Sequence, residues 1–171
     1  MVAVVGVDPN GNYYILDIDR FRTESIKEQF DHIVTMLVKW NFRKLRAEAN
    51  AAQKAIIKEL KDNYIKKNGL ALSIDEFTPT RHSGNKQERI LSILKPRYEN
   101  RAIWHYQGGN CQVLEDELVQ DNPLRDDVRD AVASCIEICV PPVAMKNRNI
   151  ENTYTKTNLT FNSRFGGVAY K

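Results

Sequence analysis

The sequence predicts an α/β domain in which helices cover a sheet. Short β-branched runs alternate along the chain with amphipathic helical segments, and turn or capping residues separate them. The chain has 171 residues, which is long enough for one domain with a buried core. We place this domain in residues 1–140. The polar stretch after it, residues 141–171, has no clear period and is expected to be an extended or flexible tail.

The first half of the chain predicts a hairpin, a helix, a strand and a second helix. The sequence Asp8-Pro9-Asn10-Gly11 is typical of a turn between two strands. Ser25 with Glu28 forms a capping box at the start of an apolar helical pattern. The predicted elements are strands at 2–7, 13–18 and 45–49 and helices from Ser25 to Lys39 and from Asn50 to Tyr64, the second closed by Gly69.

The second half continues the alternation of strands and helices. We expect strands at 70–77 and 102–106 and helices at 86–94, 113–119 and 126–139, with a polar loop at 78–85. The helix that begins at Lys86 should stop at Pro96, because proline cannot donate to the helical ladder. Trp40 and Trp104 are expected in the core.

Composition and charge exclude few function classes. The formal net charge is +3, which permits a polyanionic partner without requiring one. Cys111, Cys135 and Cys139 lack zinc-site spacing, so we expect reduced, buried thiols of a cytoplasmic protein. No apolar run approaches the roughly 18 residues of a membrane span, and no leader pattern opens the chain, so we expect neither secretion nor membrane contact.

Three acids lie at the start of the last predicted helix. Asp126, Asp127 and Asp130 would repel one another unless a cation lay between them, and Asp127 and Asp130 share a helix face. Metal-dependent phosphoryl chemistry is one use of such a cluster. The alternative is an acidic first turn that complements the helix dipole.

Glu48 lies at the carboxyl end of a predicted strand. Ligands of α/β sheets gather at those ends, so Glu48 is a candidate to join the acids of the last helix. A solvated glutamate at a strand end is the alternative. Asp8, Asp17 and Asp19 are weaker candidates for a metal ligand, because Asp8 begins a turn and Asp19 begins the polar segment that follows its strand.

Basic residues near the acids are candidates for DNA contact. Lys86 and Arg89 share a helix face, and Arg81, Lys95 and Arg97 are close to them in sequence. Lysine and arginine contacts to phosphate give affinity without reading sequence. A solvated basic helix face is the alternative.

The order of these motifs resembles a known family. Glu48-Ala49-Asn50-Ala51 after a strand, Lys86-Gln87-Glu88-Arg89-Ile90 with Leu94-Lys95-Pro96 on a helix, and Asp126-Asp127 with Asp130-Ala131 resemble the nuclease domain of the large terminase subunit of tailed bacteriophages. That domain belongs to the ribonuclease H-like superfamily, so the resemblance implies a mixed sheet flanked by helices.

The resemblance implies an active site and partners. Glu48, Asp127 and Asp130 would be catalytic metal ligands, and Asp126 would be either a further ligand or a catalytic acid beside them. Two Mg²⁺ or Mn²⁺ ions would support hydrolysis of double-stranded DNA in the host cytoplasm. Implied partners are the ATPase domain of the same packaging motor, the portal and the small terminase subunit. The sequence contains no phosphate loop of its own for an ATPase.

One departure from the family pattern limits the expected activity. The superfamily places its first acid on a first strand with two more strands before the first helix, and this chain has only two strands before Ser25. We therefore expect that the first strand is absent and that cleavage is impaired. Two alternatives stay open: a non-catalytic interaction module of the packaging machinery, and a nuclease like the resolvases or transposases.

Overall fold

Five strands and five α-helices make up the described part of the chain. The computed structural model describes residues 1–49, 51–78, 86–120 and 123–143. The strands are β1 (Val2–Val7), β2 (Tyr13–Asp19), β3 (Lys44–Glu48), β4 (Ser73–Phe77) and β5 (Ile103–His105). The helices are α1 (Ile26–Trp40), α2 (Ala51–Glu59), which continues as a π-helix (Leu60–Ile65), α3 (Lys86–Glu99), α4 (Gly109–Val119) and α5 (Asp127–Ile138).

The described strands form two sheets. One has the order β1-β2-β5, with β1 antiparallel and β5 parallel to β2. The other consists of β3 and β4, which are parallel. The predicted α/β class, with a mixed sheet flanked by helices, is thereby confirmed.

A polar turn sets the register of the first hairpin. The Asp8 carboxylate accepts the backbone N–H groups of Asn10 at 2.9 Å and Asn12 at 2.8 Å. It also accepts the side-chain amide of Asn12, and these hydrogen bonds hold the pKa of Asp8 below its ordinary value. Gly11 has φ of +83°, a conformation that L side chains rarely adopt. The Asp8 carboxylate is thus used to build the turn.

Two apolar clusters form the core, and β1 separates them. Val2 and Val4 belong to the cluster under α1 and the π-helix, whereas Ala3 and Val5 pack against the cluster that contains α3, α4 and α5. Alternate residues of a strand point to opposite faces, so β1 is covered on both sides. Helix α5 packs across β1, β2 and β3 and connects the two sheets.

Several predicted boundaries are wrong. Helix α3 runs through Pro96 to Glu99, because buried Ile93 and Leu94 hold this segment on the core and proline already has a helical φ. Strand β4 begins at Ser73 instead of residue 70, and α4 begins at Gly109, before the predicted 113. The second helix changes to π geometry at Leu60.

One of the two tryptophans that were expected in the core is exposed. Trp104 is 54% exposed, so its assignment to the core is wrong; it lies on a three-residue strand at the sheet edge. Trp40 is partly buried and packs against the second cluster.

Cys111 is buried, and the other two free thiols are partly buried. Among the described helices, none is long and apolar enough to cross a membrane. The predicted tail beyond residue 143 lies outside the described residues.

Candidate active site

A cavity lies where the carboxyl end of β3 approaches the start of α5. It has a volume of about 1180 Å³, and Glu48, Asp127 and Asp130 all line it. The parallel pairing of β3 with β4 extends beyond Glu48, since the N–H of Ala49 donates to the carbonyl of Phe77 at 2.7 Å. The structure therefore brings these three predicted site residues to one cavity, although Glu48 is remote from the other two in sequence.

Asp126, the fourth predicted acid, points toward α3. It is the N-cap residue of α5, but its side chain makes no capping hydrogen bond. Its carboxylate instead accepts from Lys86 at 2.8 Å and from the Gln87 amide at 3.0 Å. Asp126 consequently joins the start of α3 to the start of α5.

Asp130 is already neutralised by two cations of α3. Lys86 lies 3.1 Å from its carboxylate, and Arg89 donates to the same group. Burial opposes the charge of Lys86, but hydrogen bonds to Asp126 and Asp130 raise its pKa above the ordinary value. Lys86 therefore remains a cation at neutral pH, and Lys86 and Arg89 are engaged with protein carboxylates.

The ion pairs continue along α5 to the second sheet. Glu137 accepts from Arg89 at 3.0 Å and from Arg46 of β3 at 2.5 Å. Arg46 also contacts Asp75 of β4 at 2.9 Å. These partly buried charges hold β3, α3 and α5 together beside the cavity.

Glu48 and Asp127 have a different environment. Both are exposed to solvent, and neither forms an ion pair with another described residue. Two exposed carboxylates that face the same cavity and form no ion pair with the described residues are available to a ligand that carries positive charge.

The donor chemistry of the three acids suits Mg²⁺ or Mn²⁺, which prefer carboxylate oxygens. Their positions do not suit such an ion, however. Within the described ranges, no three acidic, histidine or cysteine side chains come close enough together to hold a metal. Asp130 is in addition occupied by Lys86 and Arg89. The three acids line one cavity without forming a ligand set.

A buried polar group holds the start of α5 in place, and no local sequence pattern indicates it. Glu117 of α4 accepts the backbone N–H of Arg129 at 2.8 Å and thus supplies the cap that Asp126 does not. The Arg129 side chain is 2% exposed and donates to the Glu117 carbonyl at 3.3 Å and to Gln87. Burial raises the pKa of Glu117 despite these hydrogen bonds.

Exposed cations surround the cavity. Arg20, Arg22 and Arg125 line it and lie on the surface. The sequence did not mark them as DNA contacts, because Arg20 and Arg22 follow β2 whereas Arg125 precedes α5, about a hundred residues later. The available signals were the polar segment after β2 and the position of Arg125 next to the acids of α5.

The other predicted DNA contacts lie elsewhere. Lys95 is exposed and lies 4.0 Å from Glu99, and Arg97 donates to the Ile93 carbonyl at 2.5 Å and covers the Tyr13 ring. Both belong to the last turns of α3, whereas Lys86 and Arg89 lie in its first turns beside the cavity. Arg81 falls outside the described residues.

Comparison with known families identifies the domain. Residues 2–103 match the family model described as the ribonuclease H-like domain of the bacteriophage T7 terminase. The chain belongs to this terminase family. The match covers more than half of the sequence and includes β1–β4, α3 and Glu48. No curated protein and no solved structure gave a match.

Membership of the terminase ribonuclease H-like family indicates a nuclease role in phage DNA packaging. Ribonuclease H-like nucleases generally use divalent metals, and terminase domains act with DNA and a packaging motor. The matched residues end before α4 and α5, so Asp126, Asp127 and Asp130 lie beyond them. Their assignment rests on the cavity.

Proposed function

We propose that this chain is a metal-dependent endonuclease domain that cuts double-stranded DNA during phage genome packaging. The observation that carries the proposal is the cavity between β3 and α5, which Glu48, Asp127 and Asp130 line in a chain of the terminase family. Carboxylate oxygens are the donors that Mg²⁺ and Mn²⁺ prefer, and the cavity brings three carboxylates from separate elements to one place, although they do not form a ligand set in this structure. Mg²⁺ or Mn²⁺ is the proposed cofactor.

Exposed arginines support DNA as the substrate. Arg20, Arg22 and Arg125 line the same cavity as the acids and can contact backbone phosphates of DNA bound there. Lys86 and Arg89 are proposed DNA contacts as well, but they must first leave Asp126, Asp130 and Glu137. The surface arginines should therefore contribute more of the initial binding.

Activity of these 171 residues is expected to be weak. Asp130 has to exchange two protein cations for a metal, and the three acids do not form a ligand set in this structure. A loosely held ion costs both metal occupancy and the position of the attacking water. We expect loose metal binding and cleavage that is stronger with Mn²⁺ than with Mg²⁺.

Cleavage of supercoiled plasmid tests the proposal. The chain is assayed with Mn²⁺, Mg²⁺ or a chelator, beside the variants Glu48→Gln, Asp127→Asn and Asp130→Asn. Asp116→Asn is the matched control, since Asp116 is an exposed acid on α4. We expect each of the first three substitutions to reduce cleavage at least about tenfold and the control to leave it unchanged. Equal cleavage by all variants, or cleavage with chelator, contradicts the assignment.

Two other functions predict different results, the first in the plasmid assay and the second in a comparison of branched with linear DNA. An interaction module of the packaging machinery is favoured by the engagement of Asp130 with Lys86 and Arg89, and it would bind partners without cutting. A resolvase-like nuclease would prefer branched to linear DNA. The proposed partners are the ATPase domain of the packaging motor, the portal and the small terminase subunit, and the proposed location is the host cytoplasm.

A further inference from the structure

Exposure alternates along the residues that leave β2 toward α1. Residues 19–23, which we call the arginine segment, place Arg20 and Arg22 on the surface, where both line the cavity. Asp19, Phe21 and Thr23 are partly buried. Alternate residues of an extended backbone point to opposite sides. The two arginines therefore lie on the solvent side of the segment, and the three residues around them lie toward α1.

The start of the arginine segment is attached to α1 through His32. The imidazole Nδ1 of His32 lies 2.6 Å from the carboxylate of Asp19, the last residue of β2. An ionised carboxylate can only accept a hydrogen bond, so the imidazole N–H is the donor. This hydrogen bond fixes the point at which the segment leaves the sheet.

The same imidazole holds the middle of the segment. The rings of Phe21 and His32 are stacked, with centroids 4.0 Å apart and planes inclined by 9°. Phe21 also packs against the core cluster under α1 and the π-helix. Because Phe21 lies between Arg20 and Arg22 in the chain, His32 contacts the residue on each side of Arg20.

The end of the segment is attached to the first turns of α1. The Thr23 hydroxyl donates to the Glu28 carboxylate and accepts the Ser25 N–H at 3.0 Å. The Gln29 amide donates to the Thr23 carbonyl at 3.5 Å. Glu28, Gln29 and His32 are three or four residues apart and share one helix face. One face of α1 thus holds all three partly buried residues of the segment.

The two arginines themselves are free to bind phosphate. Neither forms an ion pair with another residue that the structure describes, whereas Lys86 and Arg89 are engaged with carboxylates at the start of α5. Ordering a loop on binding costs free energy, and a backbone that is already held in place lowers that cost. The segment therefore presents Arg20 and Arg22 to the cavity in a preorganised form.

We propose that His32 is a positioning residue for DNA binding, which acts by holding Arg20 and Arg22 where the phosphates of DNA in the cavity lie. The inference rests on the proposed function, because it takes DNA as the ligand. The His32 ring contacts Asp19 and Phe21, so its effect on DNA passes through the arginines.

A double-mutant cycle on the full chain tests the inference. Binding of a short DNA duplex is measured by fluorescence anisotropy with a chelator present, so that no cleavage takes place. We expect His32→Ala to weaken binding about three- to tenfold, because the freed segment must be ordered when DNA binds. In the background of Arg20→Gln with Arg22→Gln, the same change should weaken binding less than about twofold. Thr35→Ala is the matched control, since Thr35 is an exposed residue of α1.

Backbone ¹⁵N relaxation measures the positioning without DNA. The amides of Arg20 and Arg22 should be as ordered as those of α1 in the unaltered chain, and their order parameters should fall below about 0.6 in His32→Ala. His32→Phe keeps an aromatic ring against Phe21, so it should restore most of the order and most of the DNA affinity.

Three results overturn the inference. An unchanged affinity in His32→Ala means that the segment needs no support from α1. An equal loss of affinity in both backgrounds means that His32 acts on the fold as a whole and not through the arginines. Unchanged order of the segment in His32→Ala means that other contacts hold it.

The inference and the proposed function fail in different ways. DNA cleavage by the unaltered chain, with equal DNA affinity in His32→Ala, contradicts the inference alone. DNA binding that shows the expected cycle without any cleavage contradicts the nuclease alone. A chain that binds no DNA contradicts both.

Discussion

Removing the Glu117 side chain should destabilise the start of α5, the helix that carries two of the candidate acids. Glu117 is 6% exposed, and its carboxylate accepts the backbone N–H of Arg129 in the first turn of that helix. The substitution Glu117→Ala leaves first-turn amides in an apolar interior without an acceptor. Asp126 cannot replace it, because its carboxylate is held by Lys86 and Gln87.

The expected loss follows from two overlapping effects. Removing a helix cap costs about 0.5–2 kcal/mol, and leaving a buried donor unsatisfied costs about 1–3 kcal/mol. Because both describe the same amides, they are not added, and we expect Glu117→Ala to lower the free energy of unfolding by about 2–3 kcal/mol. Glu117→Gln keeps an oxygen acceptor and should cost about 1 kcal/mol or less.

Urea unfolding of the two variants and of Asp116→Ala, an exposed neighbour on α4, measures this difference. The pH dependence gives a second readout. Burial raises the folded-state pKa of Glu117, so its contribution is fully present below the unfolded pKa of about 4.3 and is lost as pH rises through the folded pKa. The stability advantage of the wild type over Glu117→Gln should therefore shrink between acidic and neutral pH.

An equal free energy of unfolding for Glu117→Ala and Asp116→Ala would refute the capping role. A wild-type advantage over Glu117→Gln that grows with pH would refute the argument from burial, because it would mean that the ionised carboxylate is the favoured state in the fold.

Three further predictions concern other parts of the chain. Changing Arg20, Arg22 and Arg125 together to Gln should lower the salt slope of DNA binding by up to about three units, and changing Lys86 and Arg89 together should lower it by up to about two. Fluorescence titration measures the slope, with Lys95→Gln as the control. An unchanged slope contradicts the assignment of the residues that were changed. Cys135 should alkylate at pH 8 at least about a hundredfold more slowly than in the urea-unfolded chain, because burial of the partly exposed residue's thiol raises its pKa to about 12; equal labelling rates by mass spectrometry contradict the raised pKa. Trp104→Ala should change the free energy of unfolding by less than about 0.5 kcal/mol, since the residue is 54% exposed, whereas a loss near 3 kcal/mol would mean that its side chain is part of the core.

Local signals predicted the elements whose stabilising contacts are local. Asp8 and Gly11 determine the first turn within a few residues. The Ser25 hydroxyl accepts the Glu28 N–H at 3.3 Å, which is one of the two hydrogen bonds of the predicted capping box, whereas the Ser25 N–H donates to the Thr23 hydroxyl. Pro96 did not end α3, because tertiary packing of its neighbours outweighed the lost hydrogen bond. The exposure of Trp104 depends on which strand lies at the sheet edge, and no local pattern encodes that order.

The sequence predicted which acids belong to the candidate site, but only part of the contacts that these residues make with other elements. Glu48 at a strand end and Asp127 with Asp130 on one helix face are local patterns, and the fold brings them to one cavity. The pairing of Asp130 with Arg89 and the cap from Glu117 join different helices. Sequence spacing contains no information on such contacts without the packing of α3 and α4 against α5.

The ion pairs of α3 explain how three acids can lie together at the start of one helix. Lys86 and Arg89 neutralise Asp126 and Asp130, so Asp127 is the one acid of that turn without a described ion pair. Repulsion within the cluster is thus relieved by protein cations, which a divalent ion would have to displace. The same two residues were proposed to bind DNA. Phosphates that draw Lys86 and Arg89 away from α5 would release Asp130 toward the cavity, and so DNA and metal should favour each other's binding at this site.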